Sequence, residues 1–148
     1  MDYGICNLSI VPIRISNSHK SELVSQLLYG DCFKLLKEEE DWIKIITLYD
    51  EYTGWINKKQ FSEISKDDAE EISFEKNKYS NRLIDYIETS DGKLACLFLG
   101  SNIAAAEFLG HKFDGHFQVK SNKKSNLIRI ASLYLNSPYL WGGITPSG

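Results

Sequence analysis

Turn signals recur so densely through the first sixty residues that no element there can be longer than a short strand. Gly30-Asp31, the acidic run Glu38-Glu39-Glu40-Asp41 and Asp50-Glu51-Tyr52-Thr53-Gly54 each interrupt an apolar stretch. Between them lie Ile5 to Ile15, which alternates loosely between apolar and polar residues, then Leu23 to Tyr29, Cys32 to Leu36, Trp42 to Tyr49 and the pair Trp55-Ile56. Their β-branched and aromatic content suits a pleated, half-buried surface. Pro12 cannot donate to a ladder, which predicts an edge position for its strand. About five short strands in so short a stretch predict a small barrel over residues 1–62. The four like charges read as a solvated loop.

Residues 63–78 change character. Glu63, Lys66, Asp67, Asp68, Glu70, Glu71, Glu75 and Lys76 leave few apolar anchors, which predicts a linker or an exposed helical turn. A second β region is expected over 79–122. Arg82 to Glu88 alternates imperfectly, Ser90-Asp91-Gly92 is a hairpin-type turn, and Leu94 to Leu99 reads as a buried strand. Gly100-Ser101-Asn102, Gly110 and Asp114-Gly115 break up the remainder with the spacing of another small barrel. From Ser125 the period becomes helical. Leu127, Ile130, Ala131, Tyr134 and Leu135 share one face, Ser125 or Asn126 is available as N-cap, and Pro138 stops the helix.

Several function classes are excluded by what the chain lacks. With 148 residues, a net charge of -3 and no basic stripe, nucleic acid is not an expected partner. No apolar run approaches the ~18 residues of a membrane span, so no membrane partner is expected. Met1-Asp2-Tyr3-Gly4 has no basic n-region of a secretory signal. Cys6, Cys32 and Cys96 are odd in number and contain no C-x-x-C pair, which predicts unpaired thiols in a reducing cytoplasm. Cys6 and Cys96 sit among apolar neighbours, where cysteine behaves as a small hydrophobe. His111, Asp114 and His116 do not match zinc spacings and read as solvated, as does His19 in a surface loop. Spacing supports no Cys96–His nucleophile pair. Gly142-Gly143 lacks the Gly-Lys-Ser/Thr of a phosphate loop. No metal and no cofactor are expected, and the oligomeric state is left open.

The last ten residues are more specific. Tyr139-Leu140-Trp141-Gly142-Gly143-Ile144-Thr145-Pro146-Ser147-Gly148 resembles the start of the catalytic domain of the NlpC/P60 cysteine peptidases, where a Tyr-x-Trp-Gly-Gly-x-Thr-Pro-x-Gly stretch runs almost directly into Asp-Cys-Ser-Gly. Upstream, Ser21 to Asp31 and Tyr52-Thr53-Gly54-Trp55-Ile56 look like the bacterial SH3-type domain that precedes that catalytic domain in γ-D-glutamyl-L-diamino acid endopeptidases. The resemblance implies a mainly β chain. It would hold an SH3-type domain (1–62), a linker (63–78), a second SH3-like barrel (79–122), and the helix and loop (123–148) that begin a papain-like α+β catalytic domain.

It also implies a function. The parent enzyme would hydrolyse the bond between γ-D-Glu and the diamino acid in free L-Ala-γ-D-Glu-diaminopimelate tripeptides or tetrapeptides during cell-wall recycling. The family nucleophile is a thiolate activated by an imidazole. The chain stops short of that Cys and its His, so alone it is expected to be inert. By resemblance Tyr139 reaches the oxyanion and substrate side, with Trp141 lining the same pocket; the alternative is that both pack as core aromatics. Asp31, after Tyr29-Gly30, and Tyr52 would hold the free amine of L-Ala. Their alternatives are a turn aspartate and a barrel-rim tyrosine, and Trp55 reads as barrel core. A rival reading is a non-catalytic SH3-type module that binds wall or peptide; it needs export, against which the unpaired cysteines and missing signal count.

Overall fold

Seven strands in the first 64 residues form one antiparallel sheet, and its two faces organise everything else. They are β1 (Tyr3–Ile5), β2 (Ile10–Arg14), β3 (Leu23–Leu28), β4 (Cys32–Glu39), β5 (Trp42–Thr47), β6 (Thr53–Asn57) and β7 (Ser62–Ile64), in the order β3-β2-β6-β5-β4-β1-β7. This computed structural model describes residues 2–75, 78–119 and 123–148. Residues 76 and 77 of the expected linker, and 120–122 at the end of the expected second barrel, lie outside the described residues. Register shifts at Ile13/Arg14 and Leu35/Lys37 mark β-bulges, which bend and twist the strands that carry them. β2 is interior in strand order and not an edge. Pro12 is nonetheless tolerated, because pairing with β6 is confined to Arg14↔Trp55 and no ladder partner awaits its missing N–H on that side.

Successive side chains of a strand point to opposite faces, and here both faces are covered. Cys6, Val11, Ile13, Leu27, Phe33, Ile43, Ile45 and Ile56 form the inner core, with Phe61 edge-on to Phe33. The neighbours of two of these, Ile5 and Cys32, point the other way. With Tyr29 they join a second core made by Ala69, Ile72, Ile87, Leu97 and Ile103 to Ala106. Each such aliphatic side chain stabilises by about 1.5–3 kcal/mol when fully buried, so the sheet's back face binds the rest of the chain strongly.

Segment 63–78 is docked on that back face. After β7, helix α1 (Lys66–Glu70) is capped by Ser65, whose hydroxyl accepts the Asp68 N–H at 3.1 Å, and a single π-helical turn (Glu71–Glu75) follows. Asp67 and Asp68 in the first turn favour the helix dipole. The few apolar anchors suffice, since Ala69 and Ile72 are both fully buried.

The second β region consists of β8 (Lys78–Ser80), β9 (Ile84–Glu88), β10 (Leu94–Phe98), helix α2 (Ala105–Leu109) and β11 (Phe117–Val119), with β9 paired to β10 and β8 to β11. The apolar run from Leu94 is not buried throughout: Leu94 is 74% exposed and Leu97 fully buried. A two-stranded ribbon is covered on one face, so an all-apolar run still alternates. The chain is mainly β with SH3-like sheets, in agreement with the expected fold class.

Helix α3 (Lys124–Ser132) begins one residue before the expected N-cap pair. Lys123 accepts the N–H groups of Asn126 and Leu127, which puts Ser125 and Asn126 inside the first turn. Before Pro138 the helix relaxes into turns, and Asn136 takes the left-handed conformation (φ 69) common after helix ends. Leu127, Ile128 and Leu135 are exposed. Among the described residues no helix is long and apolar enough to cross a membrane.

Candidate functional site

Strand β3 is an edge strand, and it collects the residues singled out by the sequence. The carboxy-terminal loop lies along it as a strap. Trp141 Nε1 donates to Glu22 Oε1 at 2.6 Å, and the Ile144 N–H donates to Gln26 Oε1 at 2.9 Å. Gly142 has φ 75, and a Cβ there would stand 2.5 Å from the Leu23 carbonyl oxygen, so only glycine lets the loop lie this close. The strap is folded on itself: buried Thr145 donates through Oγ1 to the Gly148 carbonyl at 2.7 Å, and Tyr134 on the turn after α3 donates to the Ile144 carbonyl at 3.4 Å.

Tyr52 reaches the same strand from the β5–β6 turn, its hydroxyl donating to the Val24 carbonyl at 3.3 Å. Its own N–H is held by Thr47 Oγ1 at 2.8 Å and Asp50 Oδ1 at 3.3 Å. Asp31 sits past the far end of β3, where Oδ2 accepts the Leu28 N–H at 2.8 Å. Four residues of extended strand separate Val24 from Leu28, about 13 Å. Tyr52 is therefore beside the strap, whereas Asp31 stands at the other end of the same edge. In this chain Tyr139 is 84% exposed and Trp141 63% exposed. Trp55 is half-buried.

Burial pushes the Asp31 carboxyl up to about 7; the Leu28 N–H opposes that rise and the Asp50 charge adds to it. Cys6, Cys32 and Tyr79 share this field: burial raises each, and Asp31 raises each further. The Cys32 thiol is pushed up to about 12, and Cys96 is also raised by burial. A reactive thiol needs the opposite shift, so none of the three is set up as a nucleophile.

His111 is not a solvated loop histidine. It is half-buried with its ring stacked on Tyr29, and its Nδ1 lies 2.9 Å from the Tyr29 hydroxyl; burial holds it below the ordinary histidine value. The reason is tertiary, because Tyr29 points into the second core. His116 is exposed, as is His19, whose ring tilts against Trp42. Among the described residues no group of three or more His, Cys, Asp or Glu is placed to hold a metal.

Sequence reasoning missed Glu22, Gln26, Asp50 and Asn102. Gln26 alone had a signal: a polar side chain in the apolar run Leu23 to Tyr29, now nine-tenths buried under the strap. A cavity of about 330 Å³ lined by Ile5, Ile64, Asp68, Phe108 and Leu109 lies between β7, α1 and α2, apart from these residues.

Known proteins resemble the chain in two ways. Residues 13–61, which include β3, Asp31 and Tyr52, match the family model of the bacterial dipeptidyl-peptidase Sh3 domain. Over its whole length the fold is similar to an NlpC/P60 family protein from Bacillus cereus ATCC 10987, with a TM-score of 0.70 and 11% identity, covering 99% of this chain and 68% of that one. At that identity the likeness is one of fold. No curated protein matches the sequence.

Proposed function

We propose that the chain is the amino-terminal part of a bacterial cell-wall cysteine peptidase that cleaves the γ-D-Glu–diamino acid bond of free L-Ala-γ-D-Glu-diaminopimelate peptides in a reducing cytoplasm. The SH3-type domain forms one wall of the substrate cleft, and α3 with the strap begins the catalytic wall. The observation that carries this reading is the strap bound along β3, the strand that Tyr52 touches and whose last residue, Leu28, donates to Asp31. A peptide stem with its ammonium at Asp31 would extend toward the strap, since the roughly 13 Å of β3 between Leu28 and Val24 is the span of about four extended residues. A charge-assisted bond of ammonium to carboxylate contributes roughly 1.5–3 kcal/mol. An acylated nitrogen would leave that carboxyl without a cationic partner, which rejects stems still joined to sugar.

The experiment is calorimetric titration of the whole chain with the free-amine tripeptide and its N-acetyl analogue. The free-amine peptide should bind at least about tenfold more tightly, a difference of about 1.4 kcal/mol. An ammonium binds the ionised carboxylate, so affinity should rise as pH climbs through the Asp31 value of about 7. Equal binding of both peptides would refute the amine site. The match of residues 13–61 to an SH3-type domain alone favours one other reading, a module that binds the wall without cleaving it. Retention of the chain on intact murein sacculi, with no affinity for free tripeptide, would select it.

A further inference from the structure

The second β module has no part in that reading, yet one of its residues is bonded into the amine-site turn. Asn102 is 4% exposed and lies between β10 and α2. Its N–H donates to the Tyr29 carbonyl at 2.8 Å, and its own carbonyl oxygen stands where a Cβ on Gly30 would be, at 2.0 Å. The turn is otherwise bonded to the first module, by Gly30 N–H to Cys6 O, Asp31 N–H to Leu28 O, and Cys6 N–H to Asp31 O, each at 2.9–3.0 Å.

Asn102 is in turn held from three directions. Its Nδ2 donates to the Ile72 carbonyl at 3.0 Å, while Oδ1 accepts the N–H of Lys78 at 3.3 Å and of Ala104 at 3.2 Å. Those partners belong to the π-helical turn, to β8 and to the start of α2. A buried amide with this many bonds has one orientation, because each bond left unmade costs about 1–3 kcal/mol. Neighbouring Tyr79, bridged to Asn102, carries the module's phenol into the field of Asp31.

We infer that Asn102 is a positioning residue, which fastens the Tyr29-Gly30-Asp31 turn to the second β module and so sets where the Asp31 carboxyl stands; its functional half rests on the amine-site reading above. The module then acts on recognition without touching the peptide through Asn102. The groups facing Asp31 are Asp50 from the β5–β6 turn, Cys6 after β1, Cys32 on β4 and Tyr79 on β8, and the substitutions below leave all four in place.

Two measurements on the whole chain test this. Carboxyl-carbon NMR follows the Asp31 titration, and calorimetry gives the ratio of free-amine to N-acetyl tripeptide affinity. In Asn102→Ala the turn loosens and water reaches Asp31, so its midpoint should fall from about 7 by about one pH unit or more, with the amide shifts of Val11, Ile45 and Ile56 unchanged. The affinity ratio should fall about tenfold, the factor that one charge-assisted bond commands. Asn102→Ser, whose hydroxyl can accept the Ala104 N–H, should lie between the two and takes the place of the alanine variant if that one does not fold. A folded variant with the wild-type midpoint would overturn the inference. A wild-type chain that binds both peptides equally would refute the amine site instead, while the midpoint still decides the role of Asn102.

Discussion

Asp31→Asn offers the most direct reading of the turn, because it removes one ionisation and keeps the acceptor for the Leu28 N–H. The folded-state value is raised, from 3.8 to about 7. The unfolded chain therefore loses this proton first. Stability contributed by the protonated carboxyl is complete below pH 3.8 and is lost progressively as pH rises to about 7. Within that window the slope is up to about 1.4 kcal/mol per pH unit, which over the interval amounts to about 4 kcal/mol as an upper value. Urea denaturation of wild type and variant at pH 4.5, 6 and 8 isolates Asp31, since every other carboxylate is common to both. At pH 4.5 the variant should be the more stable by only about 1 kcal/mol, and at pH 8 by roughly 2–4 kcal/mol. Parallel pH profiles would refute the reasoning, because they would mean that Asp31 titrates as an exposed carboxylate.

Three further perturbations probe the contacts that hold the edge together. Gly30→Ala meets two penalties at once, a φ of 84 and a Cβ placed 2.0 Å from a backbone oxygen that no rotamer can move. It should destabilise by about 2–4 kcal/mol in urea, and a loss below about 0.5 kcal/mol would show that the turn and Asn102 are not packed together. Gly142→Ala should lift the strap from Leu23 at a cost below about 1 kcal/mol to the sheet, while Trp141 fluorescence shifts to longer wavelength as its bond to Glu22 breaks. The native chain at pH 7.5 should leave Cys6 and Cys32 unmodified by a thiol reagent and modify half-buried Cys96 slowly, with all three reacting in urea. Rapid native labelling of Cys32, read by mass spectrometry, would contradict its burial.

Local sequence was enough for most of the elements. Gly30-Asp31 and the 50–54 turn punctuate the strands where turn chemistry demands, and the helical spacing after Ser125 corresponds to α3. Pro12 and His111 show how a reading fails where partners are non-local. Pro12 lies in an interior strand, because a strand can be flanked on both sides and still lack a ladder partner at one residue. His111 sits among loop-forming residues but stacks on Tyr29, 82 positions away. The candidate site divides in the same way. Asp31, Tyr52, Tyr139 and Trp141 were visible as motif positions, while Glu22 and Gln26, which hold the strap, carry no motif of their own.

The order of short strands, their turns and the amphipathic spacing of α3 are properties of neighbouring residues, since φ/ψ preferences and side-chain period act over a few positions. Which face of the sheet each apolar residue would serve was not local. Cys32 and Phe33 look alike in a strand, and only the arrival of Ala69, Ile72 and Leu97 on the back face makes both of them core. The acidity of Asp31 belongs to the same category, because a carboxyl in a turn has its ordinary value until distant residues take away its water.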